Sequence, residues 1–341
     1  MKEQKSAKRI RFKPMDFMES EIAEVAEKGR MLVLKAETSA ICQMNCLYCY
    51  RKNDKGGGDR KEELSIRERI DLIREAAAMG AKAYHIVGAG EPLIDPHFLA
   101  QLKEARRLGM EIMVPTDGIS LDLEEFLDLL DMAGASILLK LNSFRENIEK
   151  RLTQREGYAE IRNRVLRKIL ERKSFNRMET SLTGAITTRL AISGMITNLN
   201  LEEILGILNF CRENNISPFI TTFLNVGRTA EEIGLSPTKE QWEELFVRAK
   251  EKDLKLGIDD GNGSIYLGGQ ECNQRGLGLY VNIVGEVRNC VGEKEPIGNI
   301  RDIPLKRMWD SIRKQNEAYI SSGRLTCPPR EARWGKLRLV K

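Results

Sequence analysis

The chain has 341 residues, of which 41% are hydrophobic and 31% are charged, and its net charge is +5. This composition is typical of a soluble globular protein, and no apolar run approaches the ~20 residues that span a bilayer. Because the N-terminus is charged and no apolar signal segment follows it, we expect a cytoplasmic protein that does not insert into a membrane. No RNA-binding signature accompanies the basic residues, so we predict no nucleic-acid partner.

The length exceeds the roughly 250 to 300 residues at which one hydrophobic core stops growing. We therefore divide the chain into an N-terminal extension (1–30), a main domain (31–235) and a C-terminal extension (236–341).

From residue 31 to about 224, short apolar runs alternate with polar loops and segments of helical period. This alternation is typical of βα units and a parallel sheet. The helical segments include Ser65–Met79, whose Ser65 and Glu68 form a capping box, and Leu201–Asn214. Six strands are predicted, too few for a complete eight-stranded barrel: Met31–Thr38, Ala83–Val87, Glu111–Pro115, Ser136–Leu141, Arg189–Ile196 and Pro218–Leu224.

After residue 224 the pattern changes to that of a small α+β unit. Helices are predicted over Pro237–Lys252 and Leu305–Ile320. Between them, residues 279–290 alternate as two short strands around Gly285, which predicts a hairpin that places Cys290 at a strand end.

Three cysteines, Cys42, Cys46 and Cys49, lie within eight residues just after the first predicted strand. A four-iron cluster has four corners, so three protein ligands leave one iron open to bind a small ligand. A structural zinc site normally closes with four Cys or His ligands, and the only histidines are His85 and His97. We therefore favour an iron–sulfur cluster over zinc.

With Tyr48 just before its last cysteine, this triplet resembles the signature of the radical S-adenosylmethionine superfamily. The resemblance implies an α/β fold, a partial (βα)6 TIM barrel, with a [4Fe-4S] cluster and S-adenosyl-L-methionine as cofactors. It places Tyr48 near the adenine. It also implies a flavodoxin- or ferredoxin-type electron donor and a 5′-deoxyadenosyl radical that removes a hydrogen atom from the substrate.

Other motifs at predicted strand ends resemble the rest of this cofactor site. Gly88-Ala89-Gly90-Glu91-Pro92 is similar to the family's Gly-Gly-Glu-Pro motif, with Ala89 in place of the second glycine, and the match implies that it holds the methionine amino group. Thr116-Asp117-Gly118 resembles a Thr-Asn-Gly turn from which Asp117 departs, and Val226-Gly227-Arg228 resembles a Gly-Arg pair. Lys140, Asn142 and Ser143 end the fourth strand, where the resemblance implies groups that contact the ribose or carboxylate, and Ser193 on the fifth strand is a further candidate. All of these candidates lie at or near carboxyl ends of predicted parallel strands, where barrel active sites are built.

In the C-terminal extension, the spacing of Cys272 and Cys290 around Gly285 resembles the opening of a SPASM or twitch extension. Only Cys327 follows, so the resemblance implies at most three ligands, Cys272, Cys290 and Cys327, for one auxiliary iron–sulfur cluster. The alternative is a degenerate extension without a cluster, in which Cys327 is a candidate hydrogen donor. We interpret Cys211, in a helical segment, as a buried apolar residue.

Three functions remain open. Many SPASM-type relatives modify peptides, which favours a peptide or protein substrate. A small molecule, such as a sugar, nucleotide or cofactor precursor, is the alternative; molybdenum-cofactor synthesis is disfavoured because the chain ends in Leu339-Val340-Lys341 without a terminal Gly-Gly. The third hypothesis is a non-catalytic iron–sulfur or zinc protein.

Overall fold

The computed structural model describes residues 9–51, 62–224, 226–227, 233–258, 266–267, 272, 275–323, 327 and 329. The strands are β1 (Ile10–Phe12), β2 (Val33–Ala36), β3 (Ala83–Ile86), β4 (Glu111–Thr116), β5 (Ser136–Lys140), β6 (Glu179–Thr180), β7 (Ile186–Thr188), β8 (Leu190–Met195), β9 (Ser217–Thr221), β10 (Gly278–Val281), β11 (Glu286–Arg288) and β12 (Gly298–Asn299). The α-helices are α1 (Glu19–Lys28), α2 (Ile66–Ala78), α3 (Phe98–Arg107), α4 (Glu124–Met132), α5 (Glu146–Thr153), α6 (Tyr158–Arg172), α7 (Leu201–Glu213), α8 (Lys239–Lys255), α9 (Leu305–Ser311) and α10 (Arg313–Ser321).

All six predicted strands are present and lie in one parallel run. The nine-stranded sheet has the order β12-β11-β10-β2-β3-β4-β5-β8-β9, and every pair from β10–β2 to β8–β9 is parallel. Helices connect consecutive parallel strands, as expected for βα units. The carboxyl ends of these strands therefore meet at one end of a partial barrel, which confirms the predicted α/β fold.

The C-terminal extension continues this sheet. The predicted hairpin is present, with β10 and β11 antiparallel and Gly285 in the turn at φ +87°. Strand β10 then pairs in parallel with β2, from Gly278 opposite Val33 to Val281 opposite Ala36. Sequence periodicity predicts the hairpin but not this long-range pairing.

The helix predicted over Leu305–Ile320 is wrong in one respect, because it is divided into α9 and α10 at Ile312. The two halves make separate contacts with the end of α1. Trp309 Nε1 donates to Gly29 O at 2.9 Å, and Arg313 Nη2 donates to Glu27 O at 2.8 Å. These tertiary bonds account for the break in an otherwise helical segment.

The N-terminal segment covers the other end of the barrel. Strand β1 pairs with β7 in a separate three-stranded sheet, and Phe12 and Met15 pack in one buried cluster with Met113 and Leu138 from the barrel strands. His85 Nε2 on β3 donates to Pro14 O at 2.8 Å. The segment thus closes the barrel at the end opposite the carboxyl ends of the strands.

Candidate functional site

A cavity of about 700 Å³ opens at the carboxyl ends of the parallel strands. It is lined by both cysteine sets, Cys42, Cys46, Cys49 and Cys272, Cys290, Cys327, and by most of the predicted cofactor residues: Tyr48, Gly88, Ala89, Gly90, Glu91, Thr116, Lys140 and Ser193. Asn142 and Ser143 are buried behind the lining rather than in it. Gly227 is described, whereas Arg228 lies outside the described residues.

The loop after β2 carries the first cysteine set, which we name the first triplet (Cys42, Cys46, Cys49). Its backbone is fixed to the end of α5, because Leu47 N donates to Leu152 O at 2.9 Å. Two donors reach sulfur atoms: Met44 N lies 3.5 Å from Cys42 Sγ, and Lys140 Nζ lies 3.5 Å from Cys46 Sγ.

This donor set fits a [4Fe-4S] cluster. Three cysteines from one loop line a single cavity, and a backbone amide and an ammonium approach their sulfurs, as suits thiolate ligands. Three thiol ligands match a four-iron cluster that keeps one iron open.

The Gly88–Glu91 segment is pressed against the cluster loop. Glu91 N donates to Ile41 O at 2.8 Å, and a Cβ atom on Gly90 would lie only 2.0 Å from Ile41 O. Gly90 is therefore required by close backbone approach, whereas Ala89 faces the cavity and its methyl group is accommodated. This contact explains how the motif tolerates alanine at position 89.

Two buried carboxylates lie side by side behind this segment. Glu91 accepts hydrogen bonds from Thr116 Oγ1 and Asp117 N, both at 2.8 Å, while the Asp117 carboxylate accepts one from Gln43 Nε2 at 3.2 Å. Burial, reinforced by the charge of Asp117, raises the pKa of Glu91 to about 8. A cationic ligand group would relieve this repulsion, so the site suits an ammonium.

A buried network holds the Tyr48 ring in the cavity wall. Asn142 Nδ2 donates both to Tyr48 Oη and to Glu149 Oε1, each at 2.7 Å, and Asn142 Oδ1 accepts from Met195 N at 3.0 Å. Arg162 Nη1 lies 3.6 Å from Glu149 Oε2, and both side chains are fully buried. Asn142 therefore acts on the cavity through Tyr48, and the amides of Asn142 and Ser143 bond to Glu149.

The second set, named the second triplet (Cys272, Cys290, Cys327), lies on another wall of the same cavity. All three thiols are buried; Cys272 and Cys327 pack with Tyr266, and Gly292 N lies 3.5 Å from Cys290 Sγ. Cys211 lies on α7 and is fully buried in the apolar core, as predicted, and it is not among the cavity-lining residues.

Sequence reasoning missed two buried charged residues, Lys35 on β2 and Glu37 immediately after that strand. Glu37 joins the cluster loop to the extension: it accepts hydrogen bonds from Tyr50 Oη at 3.1 Å, Tyr280 Oη at 2.5 Å and Ile283 N at 3.0 Å. Burial raises the pKa of Glu37 and lowers that of Lys35, to about 8. The available signal was a pair of charges within the predicted strand Met31–Thr38, where most of the other residues are apolar.

The Radical SAM superfamily model matches residues 37–234, more than half of the chain. The chain is 23% identical over 230 residues to a GTP 3',8-cyclase of Clostridium perfringens (strain 13 / Type A), covering 67% of this chain and 64% of that protein. It is 33% identical over 93 residues to a PqqA peptide cyclase of Streptomyces rochei, covering 27% of this chain and 25% of that protein. The chain thus spans less than two thirds of these relatives.

Solved structures share the fold at low sequence identity. Streptococcus suis SuiB bound to S-adenosylmethionine superposes with a TM-score of 0.59 at 14% identity, covering 85% of this chain and 67% of that chain. The structure of anSMEcpe with bound AdoMet also gives a TM-score of 0.59, at 15% identity, covering 84% and 79% of the two chains.

These matches support the enzyme over the non-catalytic alternative. Among the described residues, no helix is long and apolar enough to cross a membrane. The cofactors are those of the family, a [4Fe-4S] cluster and S-adenosylmethionine. This chain belongs to the Radical SAM superfamily.

Proposed function

We propose that this enzyme removes a hydrogen atom from a peptide or protein substrate that binds between its two cysteine triplets. The observation that carries the proposal is that both triplets line one cavity of about 700 Å³. If the cofactor occupies the part of the cavity beside the first triplet, the part beside the second triplet can accept one segment of a larger substrate, such as a peptide.

We assign cluster ligation to Cys42, Cys46 and Cys49, and binding of the methionine ammonium to Glu91. When bound, the cluster and S-adenosylmethionine supply one-electron cleavage of a carbon–sulfur bond, with the electron taken from a flavodoxin- or ferredoxin-type donor, and yield methionine and a 5′-deoxyadenosyl radical. The protein orients these groups, since Asn142 fixes Tyr48 beside the predicted adenine position. For Ser143, the contacts support a structural role.

One part of the cavity wall is apolar, which favours an apolar peptide side chain. Met113, Leu138 and Phe219 line it, and the rings of Phe219 and Tyr266 lie 3.9 Å apart between centroids. Among the described lining residues, the cations are Arg51 and Lys140; Arg51 lies near Glu37 and Lys140 near Cys46. A triphosphate would need several such cations. Similarity to a PqqA peptide cyclase adds support.

A nucleotide is the second candidate substrate. It is supported by the 230-residue similarity to a GTP 3',8-cyclase, the longer of the two sequence matches described above. Its phosphates would have to find basic partners beyond the lining cations already named.

We further propose that the second triplet holds one auxiliary iron–sulfur cluster. Its three thiols all line the cavity, as a shared cluster site requires. After anaerobic reconstitution, a variant with alanine at 42, 46 and 49 should retain iron, and a variant with alanine at 272, 290 and 327 should also retain iron. If the first variant contained no iron, the extension would be a degenerate one that holds no cluster.

The catalytic proposal is tested with the reconstituted enzyme, S-adenosylmethionine and a strong reductant. We expect 5′-deoxyadenosine from the wild type and none from the variant that lacks Cys42, Cys46 and Cys49. Short peptides encoded beside the gene should increase the yield, and a peptide deuterated at the reacting carbon should transfer deuterium to the 5′-deoxyadenosine, measured by mass spectrometry. If GTP instead stimulates turnover and is itself converted, the peptide assignment is wrong.

A further inference from the structure

Lys35 lies in the middle of β2, between the barrel and the C-terminal extension. In register it stands opposite His85 on β3 and Tyr280 on β10, and its side chain is fully buried. A lysine is almost never fully buried unless it is paired. The groups that contact the Lys35 ammonium must therefore compensate for its burial.

The Lys35 ammonium is bound by backbone oxygens of the extension. Nζ donates to Gly278 O at 2.9 Å and to Asn289 O at 3.0 Å, and Asn289 immediately precedes Cys290. The Asn289 side chain is held in turn, because its Nδ2 donates to Asn316 Oδ1 at 2.9 Å. Lys35 thus fixes the backbone from which Cys290 enters the cavity.

The charge of Lys35 also faces the second triplet. Its principal anionic neighbours are Cys290 and Cys272, followed by Glu293. The Glu293 carboxylate is already paired with Arg275, at 3.1 Å. Among the described residues, Cys290 and Cys272 would therefore add negative charge near the ammonium when they are thiolates.

The first triplet has a comparable partner. Lys140 on β5 places Nζ 3.5 Å from Cys46 Sγ. Each triplet thus has one lysine that rises from a barrel strand. Metal-bound thiolates carry more negative charge than free thiols, and nearby cations stabilise that charge.

We propose that Lys35 is a positioning residue for the second triplet, where it anchors the backbone at Cys290 and compensates the charge of metal-bound thiolates. This role rests on the proposed auxiliary cluster. It predicts that the charge on Lys35 raises the reduction potential of that cluster, because reduction adds a negative charge that a nearby cation stabilises.

The test uses the full chain with alanine at 42, 46 and 49, so that only a cluster on the second triplet is observed. Lys35→Met removes the charge and both hydrogen bonds, Lys35→Gln removes the charge but keeps a donor, and Lys35→Arg keeps the charge. Lys82→Met is the control, because Lys82 is exposed at the start of the neighbouring strand and paired with Glu21. Iron content, the midpoint potential in a redox titration and thermal unfolding are measured for each protein.

We expect a lower midpoint potential for Lys35→Gln and Lys35→Met, a value nearer the parent for Lys35→Arg, and no change for Lys82→Met. Loss of iron from the two neutral variants, with retention in Lys35→Arg, supports the same role. If Lys35→Met does not fold, the potential and iron content of Lys35→Gln are compared with those of the parent instead. Equal potentials in all variants, or equal iron loss from all three Lys35 variants, would overturn the role alone. A parent without iron would overturn the auxiliary cluster and this role together.

Discussion

Tyr48 is held in the cavity wall by residues that lie far from it in sequence. The side-chain amide of Asn142 donates hydrogen bonds to the Tyr48 hydroxyl and to the Glu149 carboxylate. Glu149 in turn forms an ion pair with Arg162. Removing the amide would leave a buried carboxylate oxygen and the Met195 amide without their partners, which costs about 1–3 kcal/mol.

We predict that Asn142→Ala weakens the binding of S-adenosylmethionine about tenfold, because the Tyr48 ring loses its fixed orientation. Binding is measured by equilibrium dialysis with the reconstituted protein. Tyr48→Phe, which keeps the ring but loses the hydroxyl, is the matched variant. If Asn142 acts through Tyr48, the double variant should bind no more weakly than Asn142→Ala alone; fully additive losses would contradict this.

At the scale of elements, loop-to-loop contact sets which residues the cofactor motif accepts. The cluster loop and the Gly88–Glu91 segment touch through backbone atoms at Ile41 and Gly90. Gly227 makes a similar approach on the other side of the loop, at φ +59°, where a Cβ atom would lie 1.6 Å from Tyr50 O. Glycine is needed at these contacts, and the cavity-facing position between Gly88 and Gly90 is less restricted.

We predict that Gly90→Ala loses most of its first cluster, since the added methyl group would push Ile41 and the cluster loop away. Ala89→Gly, one position earlier, should keep normal iron content and is the control. Iron per chain and the visible absorption of the cluster measure the effect in a background with alanine at 272, 290 and 327. Normal iron content in Gly90→Ala would contradict the prediction, because it would show that the cluster loop can shift and still bind its cluster.

On the scale of the whole molecule, the N-terminal segment and the C-terminal extension both complete the barrel. The first closes one end through Phe12, Pro14 and Met15, and the second adds β10 beside β2. His85 joins the N-terminal segment to β3, and burial lowers its pKa from 6.5 to about 4. Protonation would also add a donor at Nδ1, which has no partner among the described residues.

We predict that His85 makes the fold less stable in acid. Its pKa is lower in the folded than in the unfolded state, so its contribution is complete above pH 6.5 and is lost as the pH falls towards 4, by up to about 3 kcal/mol. Urea unfolding between pH 7 and pH 4.5 should show a steeper loss for the wild type than for His85→Gln, which cannot titrate. Parallel curves for the two proteins would contradict the prediction.

The sequence by itself determined the βα order, the six barrel strands and the first triplet, because these depend on local periodicity and on cysteines close together in the chain. It also placed Glu91 and Thr116 at strand ends, where parallel topology brings them together. Three features became visible only in the folded chain: the pairing of β10 with β2, the cavity shared by both triplets, and the support of Tyr48 by Asn142. The tertiary structure also revealed Lys35 beside the second triplet. These features depend on contacts between residues up to about 250 positions apart, such as Lys35 with Asn289, and local pattern carries no information about such pairings.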